Sequence, residues 1–315
     1  MLVYKGKTGS GHARLILIFG FGLIGNAIVH RLEWSNHARL SHFDLSWTDA
    51  QLRQAQCSQI ANYITSVSVA SPCELQFVWS AGKGGFASSE LDLENESDSF
   101  KSILNLFAGL HPDQPSVFHF ISSAGGLFEG QTMVNDGSMP MPRRPYGEMK
   151  LKQEELVRQI QVFPDRLVKI YRPSTVYGAH EFSYRSGLIS HLVWNLLRNH
   201  PTTLESNLHA LRDYVFVNDV GRYIVKQIQR GSQDRNGLYY LVSAKPSSIF
   251  EVKQKLQRLV GKSLLYQFSN VAENDADITF CREVLPCDWR PCDLNYGLSA
   301  VLRKTRNAFL HGSVA

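Results

Sequence analysis

Tyr146 and Lys150 lie four residues apart in Tyr146-Gly147-Glu148-Met149-Lys150. On a helix that spacing puts a phenol and an ammonium on one face, one turn apart. An ammonium beside a phenol favours the phenolate, so the pair can exchange a proton nearer neutral pH than an isolated tyrosine. Ser123 offers a third group. It follows the unbroken run Val117 to Ile121, which reads as a buried strand, and a hydroxyl at such a strand's end can steady an oxygen that gains or loses a proton. The spacing alone also fits a ring packed on an aliphatic stem, so the elements that carry these residues decide between the two.

Those elements are organised around residues 14–44. Leu15 to Phe19 is a short apolar run, as in strands buried on both faces of a parallel sheet. It stops at Gly20-Phe21-Gly22-Leu23-Ile24-Gly25, and apolar residues at Leu23, Ile24, Ala27, Ile28, Val29 and Leu32 then recur at helical steps. In that setting Gly20 permits a tight turn, Gly22 lets the backbone approach a pyrophosphate, and Gly25 lets helix and strand pack closely. The helix N-terminus at Leu23 and Ile24 faces the anion. Asp44, about 20 residues beyond Gly25, stands where a carboxylate takes the hydroxyls of an adenosine ribose. The series predicts a dinucleotide site. The acid, with no Arg or Lys between Phe43 and Gln51, favours NAD over NADP.

At 315 residues, 43% apolar and 19% charged, the chain has the profile of a soluble globular protein of one large or two intimate domains. A net charge of +5 suits an anionic ligand. Without a Lys/Arg run or a basic stripe with aromatics it does not predict nucleic-acid binding. No apolar segment has the length of a membrane span, and Met1 to Ala13 lacks a signal peptide's apolar core, so a cytosolic protein with a flexible leader at 1–13 is expected. Gly6-Lys7-Thr8 mimics the end of a phosphate-binding loop, but no strand precedes it. Five sparse cysteines predict free thiols in a reducing compartment, and Cys281, Cys287 and Cys292 lack metal-ligand spacing, so no metal is expected.

Thr48 with Gln51 predicts a capping box for a helix through about Ser66. Glu74 to Ser80 is the next strand, and Ala81 and Gly82 at its carboxyl end fall where a cofactor lies in open α/β sheets; Lys83 reads equally well as plain loop. The acidic stretch Glu90 to Ser99 leads into a helix at Phe100 to Ala108. Pro140, Pro142 and Pro145 hold off the next helix until about Tyr146. Strand Leu167 to Tyr171, helix Leu188 to Arg198, strand Tyr214 to Val217, a helix capped by Asn218 or Asp219, strand Leu238 to Val242 and a helix boxed by Ser248 and Glu251 and closed by Gly261 follow. This alternation is that of an α/β, doubly wound parallel sheet. A dinucleotide-binding domain at 1–175 is expected, then a smaller substrate-binding region at 176–315 from which about 214–242 returns to the sheet.

Together the glycine turn, Ser122-Ser123-Ala124-Gly125-Gly126, Tyr146 to Lys150, Tyr171 to Gly178, Arg212 to Val220 and the closing Cys287 to Pro291 resemble one family. It is that of the extended short-chain dehydrogenases/reductases acting on nucleotide sugars, the NAD-dependent epimerase/dehydratases. The likeness runs from about Arg14 to about Asn307. It implies a Rossmann fold, Tyr146 as acid/base, Lys150 as the lysine that tunes it and holds the nicotinamide ribose, and Ser123, before Ser122, as the hydroxyl that orients the substrate oxygen. Pro173 and Ser174 fall where the family's chain passes the nicotinamide and substrate, and Arg212 where an arginine often meets the nucleotide diphosphate. A surface ion pair with Asp213 or another acid is the alternative reading of Arg212.

The chain departs from the family in three places. The glycines are spaced G-x-G-x-x-G rather than G-x-x-G-x-x-G, residues 44–74 lack one strand and a Gly-Asp pair, and Arg143-Arg144 stand where many relatives carry an acid. A solvated pair is the plainer reading of those arginines. Ala124-Gly125 in place of an Asp-Glu pair argues against a dehydratase. An epimerase that removes and returns a hydride is expected, with a keto-sugar reductase as the alternative and a non-catalytic cofactor sensor behind both. The family's pairing of two long helices per subunit implies a homodimer.

Overall fold

A computed structural model of the protein describes residues 1–7, 13–35, 37–70, 73–82, 84, 88–160, 166–178, 187–204, 207–268 and 276–310. Its apolar runs become β1 (Leu2–Lys7), β2 (Ala13–Phe19), β3 (Ala38–His42), β4 (Cys73–Trp79), β5 (Ser116–Ile121) and β6 (Arg166–Pro173). Between them come α1 (Leu23–Trp34), α2 (Ala50–Ala70), α3 (Glu90–Ala108), the short α4 (Ala124–Leu127) and α5 (Pro145–Gln159). Then follow β7 (Thr175–Tyr177), α6 (Leu188–Arg198), β8 (Thr202–Leu204), β9 (Leu211–Arg212), β10 (Tyr214–Phe216), α7 (Val217–Arg230), β11 (Gly237–Leu241), β12 (Ser247–Ser248), α8 (Ile249–Val260), β13 (Tyr266–Phe268) and α9 (Leu294–Leu310).

Seven strands form one sheet in the order β11-β6-β5-β4-β2-β1-β3, and β2, β4, β5 and β6 pair in parallel. Within the segment expected to be a flexible leader, 1–13, residues 8–12 lie outside the described residues and residues 2–7 are instead β1, antiparallel to β2 on one side and β3 on the other. Its Leu2, Val3 and Tyr4 are buried, and Tyr4 Oη donates to Glu33 Oε1 on α1 at 2.8 Å. The apolar triplet is too short for periodicity to mark, and the Gly6-Lys7 that follows reads as loop.

Along β4, side chains alternate between two fully covered faces. Phe77 and Trp79 join Phe19, Phe100, Phe107 and Phe118 in an aromatic core. The other face is polar. Arg14 Nε meets Glu74 Oε1 at 2.8 Å, and the His119 ring bridges Gln76 Oε1 at 2.6 Å and Tyr171 Oη at 2.8 Å. Such groups are tolerated in an interior only because they satisfy one another. Burial, then the charges of Lys169 and Arg14, push His119 well below the usual histidine range.

By its contacts the chain forms two compact units. One comprises residues 1–127, 142–172 and 221–239, the other 128–141, 173–220 and 240–315. The second is built on three strand pairs, β10-β7, β12-β9 and β13-β8, around a core that includes Leu192, Leu196, Phe216, Leu256 and Leu298.

Three local expectations are corrected. Asp49, rather than Thr48, caps α2, its Oδ1 accepting from Leu52 N at 2.9 Å. The acidic lead-in is itself helical, since Ser89 caps α3 and the helix runs from Glu90. Helix α7 begins at Val217, so Asn218 and Asp219 lie in its first turn, and Asp219 Oδ2 accepts from Cys292 N at 2.8 Å. The Ser248/Glu251 box and the left-handed Gly261 at the ends of α8 stand as read.

Candidate active site

Strand β2 ends in the glycine turn, and two of its glycines are obligatory. Gly20 adopts φ +97°, and a Cβ there would overlap the Ala81 backbone after β4; a Cβ on Gly25 would overlap the Gly20 carbonyl oxygen. Ser80 Oγ donates to the carbonyls of Phe19 (3.1 Å) and Gly20 (3.0 Å), fastening the turn to β4. Gly22 differs. It is the N-cap of α1, without a side-chain cap, and a Cβ there would meet no atom within 4 Å. The first-turn N–H groups of α1, at Leu23 and Ile24, thus stand beside an open approach, the arrangement that receives a pyrophosphate. These residues fit a dinucleotide.

Ala81 is buried and Gly82 exposed with φ +152° at the end of β4, while Lys83 lies outside the described residues. Asp44 is placed differently from a direct strand-helix-strand unit. Because β1 intervenes, β3 stands two strand spacings from β2, about 10 Å instead of about 5 Å. The carboxylate is 86% exposed, 3.9 Å from His42 Nε2.

Ser123, Tyr146 and Lys150 belong to one compact unit and are drawn together by glycines. Ser123 Oγ accepts the Gly126 N–H at 3.0 Å at the start of α4. A hydroxyl that accepts from a backbone N–H keeps its own proton to donate. A Cβ on Gly126 would lie 3.1 Å from Tyr146 Cδ1, and one on Gly84 3.0 Å from Tyr146 Cδ2. The ring is therefore held between the segments that follow β5 and β4. Lys150, one turn along α5, is buried with Nζ 5.8 Å from the centre of the Tyr146 ring.

Ser122 is committed elsewhere. Its Oγ donates to Glu154 Oε1 at 2.6 Å, and Glu154 also receives Arg172 through Nε (2.9 Å) and Nη2 (2.7 Å) and Arg158 through Nη2 (2.7 Å). Arg143 is exposed, and Arg144 is the N-cap of α5.

In the second unit, Ser174 Oγ donates to Asp213 Oδ1 at 2.6 Å, and Asp213 also accepts from Ser243 N and Oγ, both at 2.8 Å. Burial nonetheless raises the Asp213 carboxyl above its usual range, against the pull of those hydrogen bonds. Arg212 Nη1 donates to the carbonyls of Leu211 (3.2 Å) and Ala276. Pro173 closes β6 and is itself buried.

The residue that the sequence reading missed is Glu96. Its carboxylate, 1% exposed, lies 2.8 Å from Lys150 Nζ, and its Oε2 accepts the Gly84 N–H at 3.1 Å. A signal was present. Leu93, Glu96, Phe100, Ile103 and Phe107 share one helical stripe, and a glutamate on an apolar stripe marks a buried charge. Among the described residues no group of His, Cys, Asp or Glu is clustered to hold a metal, and no helix is long and apolar enough to cross a membrane. All five cysteines are free thiols.

A sequence model of the NAD dependent epimerase/dehydratase family matches residues 16–242. No curated protein matches the chain. Among solved structures, the fold is similar to that of Thermus thermophilus UDP-glucose 4-epimerase in complex with NAD, with a TM-score of 0.74, 17% identity and coverage of 93% of this chain and 99% of that one. Thermotoga maritima UDP-glucose 4-epimerase with UDP-glucose superposes with a TM-score of 0.74 at 16% identity over 93% and 99% of the two chains. Bacillus cereus UDP-glucuronic acid 4-epimerase, in complex with UDP-glucuronic acid and NAD, gives 0.68 at 19% identity over the same shares.

Proposed function

Because the chain belongs to the NAD dependent epimerase/dehydratase family, an enzyme family whose cofactor is NAD, we propose that it is a nucleotide-sugar epimerase with Ser123, Tyr146 and Lys150 as its proton-handling groups. The observation that carries the reading is the cluster itself. A hydroxyl with a proton to donate, a clamped phenol and a buried ammonium gather at the carboxyl ends of β4 and β5, on the same sheet as the glycine turn.

In this reading Gly20, Gly22 and Gly25, the α1 N-terminus, Ala81, Gly82 and Pro173 hold the dinucleotide, Asp44 serves its adenosine end, and Lys150 holds the nicotinamide ribose. The cofactor supplies hydride acceptance and return. Tyr146 takes the proton of a sugar hydroxyl as the hydride leaves the carbon that bears it, so a hydroxyl becomes a ketone with two electrons removed. Ser123 donates to that oxygen throughout. Lys150 stabilises the phenolate by its charge. When the ketone is presented by its other face, Tyr146 returns the proton as the hydride comes back, and the configuration is inverted. The family resemblance assigns Ser174 to the sugar and Arg212 to its diphosphate. The sugar nucleotides bound in two of the similar structures, UDP-glucose and UDP-glucuronic acid, make UDP-sugars the first to try.

The test incubates purified protein with UDP-sugars and follows the epimer by chromatography. Product without net consumption of NAD, abolished in Tyr146→Phe while that variant still binds NAD, is expected. Net oxidation of added NADH identifies a reductase instead, and no turnover with any sugar favours a sensor. The family's pairing of two long helices per subunit makes the protein a homodimer in this reading, which light scattering would register as twice the chain mass.

A further inference from the structure

We propose that Glu96 is a positioning residue of this site: its carboxylate keeps the Lys150 ammonium charged and ties it to the Ala81–Gly84 loop. The inference rests on the reading of Lys150 given above.

Glu96 reaches from α3 into the space between that loop and α5. One oxygen accepts from Lys150 Nζ at 2.8 Å, and the other accepts the Gly84 N–H at 3.1 Å. A Cβ on Gly82 would come within 2.8 Å of the carboxylate and one on Gly84 within 3.0 Å, so the small residues of this loop make room for an anion beneath it. A buried carboxylate is costly to desolvate and adds little net stability even when paired. Its presence here is better explained by what it does to its partner.

Lys150 is 4% exposed. The groups that face it are Glu96 from α3, Tyr146, Gln153 and Glu154 from α5, and the Phe120 ring from β5, 5.5 Å from Nζ. Glu154 is already engaged by two arginines, which leaves Glu96 as the principal counter-charge. Burial alone would favour the neutral amine; Glu96, then Tyr146 and Glu154, more than offset it and hold the ammonium above the usual lysine range. Two of its three hydrogens go to Glu96 and Gln153, an arrangement that fixes the direction of the third.

The measurement is NAD affinity as a function of pH, by calorimetry, which needs no sugar substrate. The wild-type affinity stays level from pH 6.5 to 9. In Glu96→Gln burial acts on Lys150 with its main counter-charge removed, so the amine deprotonates within this range and affinity falls on the alkaline side, by up to about tenfold per pH unit. Lys150→Met binds weakly and without that dependence. A Glu96→Gln curve parallel to the wild type overturns the proposal. Should Glu96→Gln fail to fold, the Lys150 Cε resonance of 13C-lysine-labelled wild type, assigned by its loss in Lys150→Met, decides: titration above the exposed lysines supports the proposal, and titration at or below them refutes it. Failure of the epimerase reading looks different, as absent sugar turnover with the pH pattern intact.

Discussion

Replacing Glu154 with alanine removes the carboxylate on which the end of β5 and the end of β6 are fastened. Glu154 is fully buried and accepts from Arg172 by two nitrogens, from Arg158 and from Ser122 Oγ. Arg158 is 40% exposed and turns to water at little cost, whereas Arg172 is 4% exposed and keeps a buried guanidinium without its main counter-charge. Breaking a buried pair from one side costs about 3–5 kcal/mol, a large part of a stability of roughly 5–15 kcal/mol. At roughly 2–4 °C per kcal/mol, the melting temperature falls by roughly 6–20 °C. Urea unfolding followed by tryptophan fluorescence measures the change in wild type, Glu154→Ala, Arg172→Met and the double variant. The double variant is expected to be more stable than Glu154→Ala alone, because the stranded charge is gone. A cost below about 1 kcal/mol for Glu154→Ala, the range of an exposed pair, would refute the reasoning, as would a double variant whose loss is the sum of the two.

Gly22→Ala leaves the melting temperature within about a degree, since its Cβ meets no protein atom, yet weakens NAD binding; Gly25→Ala, which presses on the Gly20 carbonyl, lowers both, and calorimetry with thermal melts separates them. His119 is held neutral with a pKa below its unfolded value, so its contribution to stability is fully present above about pH 6.5 and is lost as pH falls from there toward the folded value. Urea midpoints from pH 7.5 to 5 should fall less steeply in His119→Gln than in wild type. Arg212→Ala should raise KM for a nucleotide sugar and leave kcat nearly unchanged, as expected of a group that binds the diphosphate away from the reacting carbon; an equal fall in kcat would contradict that role.

Much of this was legible in the residues. The glycine turn, the strands from Leu15, Glu74, Val117 and Leu167, and the helix start near Tyr146 follow from apolar runs and from Gly and Pro, whose backbone constraints are local. What stayed hidden depends on partners distant in sequence. Leu2 to Lys7 becomes a strand only because β2 and β3 offer it two edges. Glu96 sits in a stretch rich in acids, and only the fold shows that one of them turns inward to a lysine 54 positions later. The polar belt of Glu74, Gln76 and His119 likewise lies inside runs that read as buried strands, where each polar group reaches a partner on a neighbouring strand.

The first strand also has a bearing on cofactor choice. Among the described residues strand β3 pairs in the sheet with β1 alone, so the wall against which an adenosine would rest hangs from β1 rather than from the glycine-bearing strand. Substitutions at Leu2, Val3 or Tyr4, far from any phosphate-binding signature, would therefore move Asp44 relative to Gly22. Selection between the two nicotinamide dinucleotides could drift in this protein through its opening residues while every recognisable motif stayed intact.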